Sequence, residues 1–276
     1  MTLPVAALSD YKMAGEAKVV RLTTFFPYPP HIPMAEQLFN MLSTCGSVGR
    51  FADRIYRLYE RHYPGLPQPQ EYWIDEISIV KRYLFIQHEA LVVEIRHILP
   101  LHSTAQLERS FFILIDRTIF GSSMSSGLSN DRIICSHVAP QPYWSTTIWQ
   151  LRPTVPGQHI QMNLVQLACV LSSVSDYAPH YNAFRENCFW FVYWTTRVIR
   201  LILANDNETA VLEQANRWRN ILFRRGKMFL FRVGAAMSQD ITAIHGQYQG
   251  SFAAVCYCSK REYANAHMLS SFSQPQ

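Results

Sequence analysis

A thiol and an imidazole can carry nucleophilic acyl chemistry as a dyad, with a carboxyl to orient the imidazole, and this chain offers Cys188 and His88 for the dyad and Asp116 as the candidate carboxyl. Cys188 stands in Asn187-Cys188-Phe189-Trp190-Phe191-Val192, where a polar, turn-forming stretch passes abruptly into an apolar one, so the pattern predicts a helix beginning at the thiol. The first N–H groups of a helix have no intrahelical partner and the dipole there is positive, which is how a helix start can make a nucleophile of a cysteine. His88 lies a hundred residues upstream, at the head of the strand-like run His88-Glu89-Ala90-Leu91-Val92-Val93-Glu94-Ile95. An imidazole that reached the thiol would take its proton, let sulfur attack an acyl carbon, and return the proton to the leaving group. Backbone N–H groups at the helix start, including that of Cys188, would face the oxyanion. Asp116, ending a second strand-like run, is the candidate for orienting the histidine, with Glu94 behind it. Each residue also has a plainer reading: Cys188 as a small buried side chain, His88 as a strand-edge histidine bonded to backbone, and Asp116-Arg117 as an ion pair closing a strand.

The elements that would position these groups follow from hydrophobic period. Residues 34–63 carry apolar positions at helical spacing, Leu38, Met41, Leu42, Phe51, Ile55 and Leu58, interrupted at Cys45-Gly46-Ser47, which predicts two helices. Pro64, Pro67 and Pro69 then mark a linker. Beyond it the period shifts toward two in runs starting at Trp73, Tyr83, His88, Ser110 and Arg132, rich in β-branched and aromatic residues, which predicts a largely antiparallel sheet. Gly121–Asn130 reads as a flexible connection. Helical period returns at Met162–Val174, from Cys188, over Thr209–Phe223, and over about Ser238–Ala266, the last expected to break near Gly246–Gly250. On a helical wheel Tyr193, Arg197 and Arg200 share one arc and Cys188 falls opposite Arg197, so the thiol should face inward. The order of elements gives an α+β fold, an antiparallel sheet packed against helices, with residues 1–70 as an N-terminal arm and helical extension and residues 71–276 as the main domain.

With 276 residues, 49% hydrophobic and 16% charged, the chain has enough apolar side chain for a substantial core and too much to be wholly disordered. A net charge of +5 is modest, and no nucleic-acid partner is expected from it. The start lacks a basic region ahead of a long apolar stretch, and no window of eighteen apolar residues goes uninterrupted, so the expectations are no secretory signal, no transmembrane span and a cytoplasmic location. Six cysteines without paired spacing read as mostly reduced and buried. Cys256 and Cys258 with His245 and His267 match no common zinc spacing, and neither a metal nor a cofactor is expected. His97 and His102 flank a loop and are expected to face solvent. Arg217, Arg219, Arg224, Arg225 and Lys227, interleaved with aromatics, admit two readings: a peripheral membrane or anion-binding patch, or a basic helix C-terminus ended by Gly226.

The stretch from His88 to Ile95, followed later by Tyr181-Asn182-Ala183-Phe184-Arg185-Glu186-Asn187-Cys188-Phe189-Trp190-Phe191, resembles the circularly permuted papain-like superfamily, which includes lecithin:retinol acyltransferase-like and PPPDE-type proteins. The Asn-Cys-aromatic-Trp-Phe segment also resembles a group of fungal proteins without assigned function. In the superfamily a strand-borne histidine precedes a helix-start cysteine. The resemblance covers roughly residues 79–204 and carries over His88 and Cys188, with Asn187 as a positioning residue. It implies a papain-like α+β domain and a cysteine-dependent hydrolase or acyltransferase acting on an amide, thioester or ester of a protein, peptide or acyl substrate. The Asn-Cys-Glu-His-Phe pattern of the acyltransferase branch is replaced here by Asn187-Cys188-Phe189-Trp190-Phe191, which keeps open the alternative of a catalytically inactive interaction or structural module.

Overall fold

The computed structural model describes residues 34–61, 68–83, 87–97, 111–120, 126–139, 146–153, 159–182, 188–205 and 237–272. Among them are five helices: α1 (Met34–Ser43), α2 (Val48–Arg61), α3 (Leu164–Tyr177), α4 (Cys188–Asn205) and α5 (Met237–Phe272). Seven strands form one sheet: β1 (Tyr72–Tyr83), β2 (Gln87–His97), β3 (Phe111–Phe120), β4 (Ser126–Ser136), β5 (Thr146–Leu151), β6 (Ile160–Asn163) and β7 (His180–Asn182). The strand order is β5-β1-β2-β3-β4-β7, with β6 pairing β1 as well. All these pairings are antiparallel.

The middle strands are buried on both faces. In β2, Ala90, Leu91, Val92 and Val93 are all buried, as are Ile113, Leu114 and Ile115 in β3, so these strands read as near-continuous apolar runs. One face belongs to the main core, where Ile77, Ile79, Leu91, Val93, Ile113 and Ile115 pack with residues of all five helices. The other carries a small separate cluster of Val80, Ala90, Val92 and Leu114. In β1 strict alternation would place Ile74 and Ile77 on opposite faces, yet both join the main core. A register shift between Ile74 and Glu76 makes Asp75 an extra residue, a bulge that resets the parity.

α3 is the central helix and is buried on nearly every side. It starts at Leu164 because Asn163 caps it: the Asn163 side chain accepts from the Gln166 N–H at 3.0 Å and the Gln166 side chain accepts from the Asn163 N–H at 3.0 Å. The residues expected to open that helix, Met162 and Asn163, therefore belong to β6 and its cap. α1 and α2 meet at the predicted corner, where Gly46 takes φ 68°, a left-handed conformation suited to glycine. That corner touches the sheet, since Ser47 bridges Arg132 and the Ile133 N–H donates to the Gly46 carbonyl at 3.3 Å.

Three expectations change. β4 begins at Ser126, so the second half of the stretch read as a flexible connection is strand, and its partners are β3 and β7. α5 continues unbroken through Gly246 and Gly250 because Ile244, Tyr248 and Val255, at helical spacing, bury against the other helices. The short strands β5, β6 and β7 carry too few residues to show a period and were not expected. The helix expected over Thr209–Phe223 lies outside the described residues. No helix among the described residues is long and apolar enough to cross a membrane.

Candidate active site

Cys188 is the first residue of α4, as its sequence context predicts, and it is 3% exposed. Arg197, on the opposite arc, is exposed. His88 is the second residue of β2 and faces Arg82 on β1. Ala90, two residues on and on the same face, pairs with Asp116 of β3, whose partner on β4 is Arg132. This diagonal places His88 and Asp116 within reach of each other. His88 Nε2 lies 3.3 Å from Asp116 Oδ2. Arg132 closes the far side with two bonds, Nε to Oδ1 at 2.9 Å and Nη2 to Oδ2 at 2.6 Å. The His88 ring is also hydrogen-bonded to the side chain of Cys188. The three residues singled out for chemistry, drawn from β2, β3 and α4, are thus in one chain of contacts, extended by Arg132.

Burial works against charge on His88, but the hydrogen bonds to Asp116 and Cys188, together with the charge of the Asp116 carboxylate, outweigh it and raise the imidazolium to about 9. Burial would likewise raise the carboxyl of Asp116, which is 1% exposed, yet the hydrogen bonds from His88 and Arg132 and their charge hold it below the ordinary carboxylate value. At neutral pH the pair is therefore an imidazolium facing a carboxylate. The strand-end ion pair between Asp116 and Arg117 does not form: consecutive strand residues point to opposite faces, and Arg117 pairs instead with Asp131, with bonds of 2.7 Å to each oxygen.

The sheet is open where these groups meet. The β2–β3 register ends at Ala90↔Asp116, although β2 begins earlier, at Gln87, and β3 continues to Phe120. α4 contacts both strands. Its first turn rests on them, with Lys81 of β1 lying 5.5 Å from the Phe189 ring centroid and Arg117 lying 5.1 and 4.9 Å from those of Trp190 and Phe191. A helix packed on the main-core face thereby delivers its first residue to a histidine carried on the other face.

Other residues singled out fall elsewhere. Glu94 sits six positions along β2 from His88, roughly 20 Å at strand rise, too far to orient it. Asn187 and the basic residues Arg217, Arg219, Arg224, Arg225 and Lys227 lie outside the described residues, as does His102. His97 does not face solvent: it is 8% exposed, stacks on Tyr72 with centroids 4.6 Å apart, and lies 3.6 Å from Glu71. Cys256 faces Tyr59, 4.0 Å from its hydroxyl, whereas Cys258 is exposed, so the two sulfurs do not converge. Among the described residues no three His, Cys, Asp or Glu side chains gather as a set of metal ligands.

Sequence reasoning missed Arg132 as the partner of Asp116 and Glu89 as a buried carboxyl beside His88. Arg132 could be found only from the β3–β4 register, which places it directly opposite Asp116. Glu89 is fully buried beside Lys81, 3.8 Å away, and burial raises its carboxyl to about 7 against the opposing charges of Lys81 and His88. Comparison of the chain with protein-family models, curated proteins and solved structures finds no match to any of them.

Proposed function

We propose that this chain is a cysteine-dependent hydrolase or acyltransferase of permuted papain-like architecture, acting on an amide, thioester or ester. The observation that carries the reading is the His88 ring bonded to both Cys188 and Asp116. Through its bond to Cys188 the imidazole takes up the thiol's proton. The sulfur attacks the acyl carbon while the N–H groups of the first turn of α4, which lack intrahelical acceptors, receive the oxyanion. The imidazolium then protonates the departing amine, thiol or alcohol, and the acyl group rests on Cys188. Water, activated by His88, completes hydrolysis; an acceptor nucleophile in its place completes transfer. Asp116 stays ionised throughout and keeps Nε2 protonated, and Arg132 holds the carboxylate in place.

Three of the five competing thiols are poor nucleophiles for a physical reason: burial raises Cys45, raises Cys135 to about 12 and raises Cys169 to about 11. Alkylation by iodoacetamide at pH 7, with the labelled cysteine located by peptide mass mapping, should therefore find Cys188 ahead of the other five, and His88→Ala should slow it by about 100-fold or more. Equal labelling of all cysteines, or none at 188, would sink the reading.

One observation favours the second reading, a module of this fold without activity: the sulfur-bearing residue is 3% exposed. On that reading Cys188 resists alkylation in the folded protein, and Cys188→Ala leaves any cellular phenotype intact.

A further inference from the structure

On the face of the sheet that packs against α4, four charged residues stand in one row across four strands: Lys81 on β1, Glu89 on β2, Arg117 on β3 and Asp131 on β4. Register pairs Lys81 with Glu89 and Arg117 with Asp131. The β2–β3 ladder ends one step short, at Ala90↔Asp116, so Glu89 and Arg117 are the next residues on their strands without being a ladder pair themselves. The signs alternate, and the residues are 8%, 0%, 0% and 6% exposed. Arg117 is held by both oxygens of Asp131 at 2.7 Å, and Ser175 of α3 donates to Asp131 at 2.5 Å. Among the described residues neither oxygen of Glu89 has a hydrogen-bond donor, and Arg117 Nη1 has no acceptor.

A row of this kind is a poor device for stability. Buried ion pairs recover little more than the solvation they give up, and well-packed apolar residues commonly do as well or better. What distinguishes this row is what its cations touch. Lys81 reaches the ring of Phe189, and Arg117 reaches those of Trp190 and Phe191, the three residues that follow the thiol. β1 and β3 are two strand spacings apart, about 9.6 Å, close to the width of a helix of about 10 Å. The cations therefore flank the first turn of α4, and Glu89 stands between them on β2, near the helix end that favours an anion.

We propose that Lys81, Glu89, Arg117 and Asp131 form a clasp on the first turn of α4, setting the rotation and depth of the helix so that the Cys188 sulfur meets His88. The proposal rests on the reading of Cys188 as a nucleophile. Lys81 and Arg117 are positioning residues, acting through the rings of Phe189, Trp190 and Phe191, with Glu89 and Asp131 fixing the cations.

The test measures the iodoacetamide rate constant at Cys188, with exposed Cys258 as internal reference, alongside the thermal transition. Two neutral, volume-conserving pairs are compared with the native protein: Lys81→Met with Glu89→Gln, and Arg117→Met with Asp131→Asn. Lys81→Arg serves as the conservative variant. The clasp predicts cooperative transitions within several degrees of the native one, a Cys188 rate lowered about tenfold or more in each neutral pair, recovery of most of the rate in Lys81→Arg, and no change at Cys258. Neutral pairs that fold and alkylate Cys188 at the native rate overturn the clasp and leave the nucleophile standing. Loss of a cooperative transition in both pairs overturns it in favour of a purely structural row. Native Cys188 reacting no faster than Cys258 overturns the nucleophile reading and the clasp with it.

Discussion

Asp116 accepts three hydrogen bonds on two oxygens, one from His88 and two from Arg132, and the cost of burying it is met at that point. Its effect on His88 is measurable without knowledge of a substrate. A histidine raised to about 9 from 6.5 adds stability that is complete below about pH 6.5 and is lost as pH rises through about 9. The difference is up to about 3 kcal/mol for a side chain this buried. Denaturant unfolding at pH 6.5 and 8.5 should show the native protein losing stability across that interval. Asp116→Asn, which removes the charge that favours the imidazolium, should flatten the loss. Identical slopes would show that His88 does not owe its proton to Asp116. Glu89, raised to about 7 from 4.5, acts with the same sign at lower pH, its contribution being lost as pH rises through about 7. At this scale the positions of Cys188 at a helix start and of His88 near a strand head were legible, because both are local features; their pairing was suggested by a resemblance, not by local pattern. Arg132, Glu89 and Arg117 were not legible, since each takes its meaning from the residue across the ladder.

Among the elements, the two long interruptions expected in helices had different outcomes for one reason. Gly46 sits where the chain must turn, with φ 68°, and ends α1 before α2 begins. Gly246 and Gly250 lie on the exposed side of α5, whose other side carries Ile244, Tyr248 and Val255 into the core, so burial carries the helix across two poor helix formers. A methyl group added at either glycine meets nothing within 4 Å among the described residues. Gly246→Ala and Gly250→Ala should each stabilise the protein by about 0.5–1 kcal/mol in denaturant unfolding. No gain in either would mean that α5 frays there in solution. The same competition explains the sheet: β1 to β4 were legible because their apolar runs are long, but the bulge at Asp75 and the strands β5 to β7 depend on partners that no local pattern records.

Over the described molecule, one core joins the N-terminal helices to the sheet. Leu38 and Leu42 of α1 and Phe51 and Ile55 of α2 are fully buried in the cluster that also holds Ile77, Leu91 and Ile113 of the sheet and Val170 of α3. A chain beginning at Gln68 would leave that apolar surface of the sheet and α3 in water, and should unfold without a cooperative transition and bind a hydrophobic dye. A sharp thermal transition in the shortened chain would show that α1 and α2 are an accessory layer. The α+β arrangement itself was legible as helices, strands, helices. The sharing of one core was not, because the proline-rich stretch around residues 64–69 reads as a boundary whatever the flanking helices pack upon.

The corner between α1 and α2 has a consequence for how this chain tolerates changes in length. Gly46 and Ser47 are docked on Ile133 and Arg132, and the Arg132 side chain grips the carboxylate that orients His88. The loop is thus a dimension of the site. A residue inserted between Cys45 and Val48 would be felt first in the tilt of an imidazole carried on another strand, before it was felt in the helices it joins.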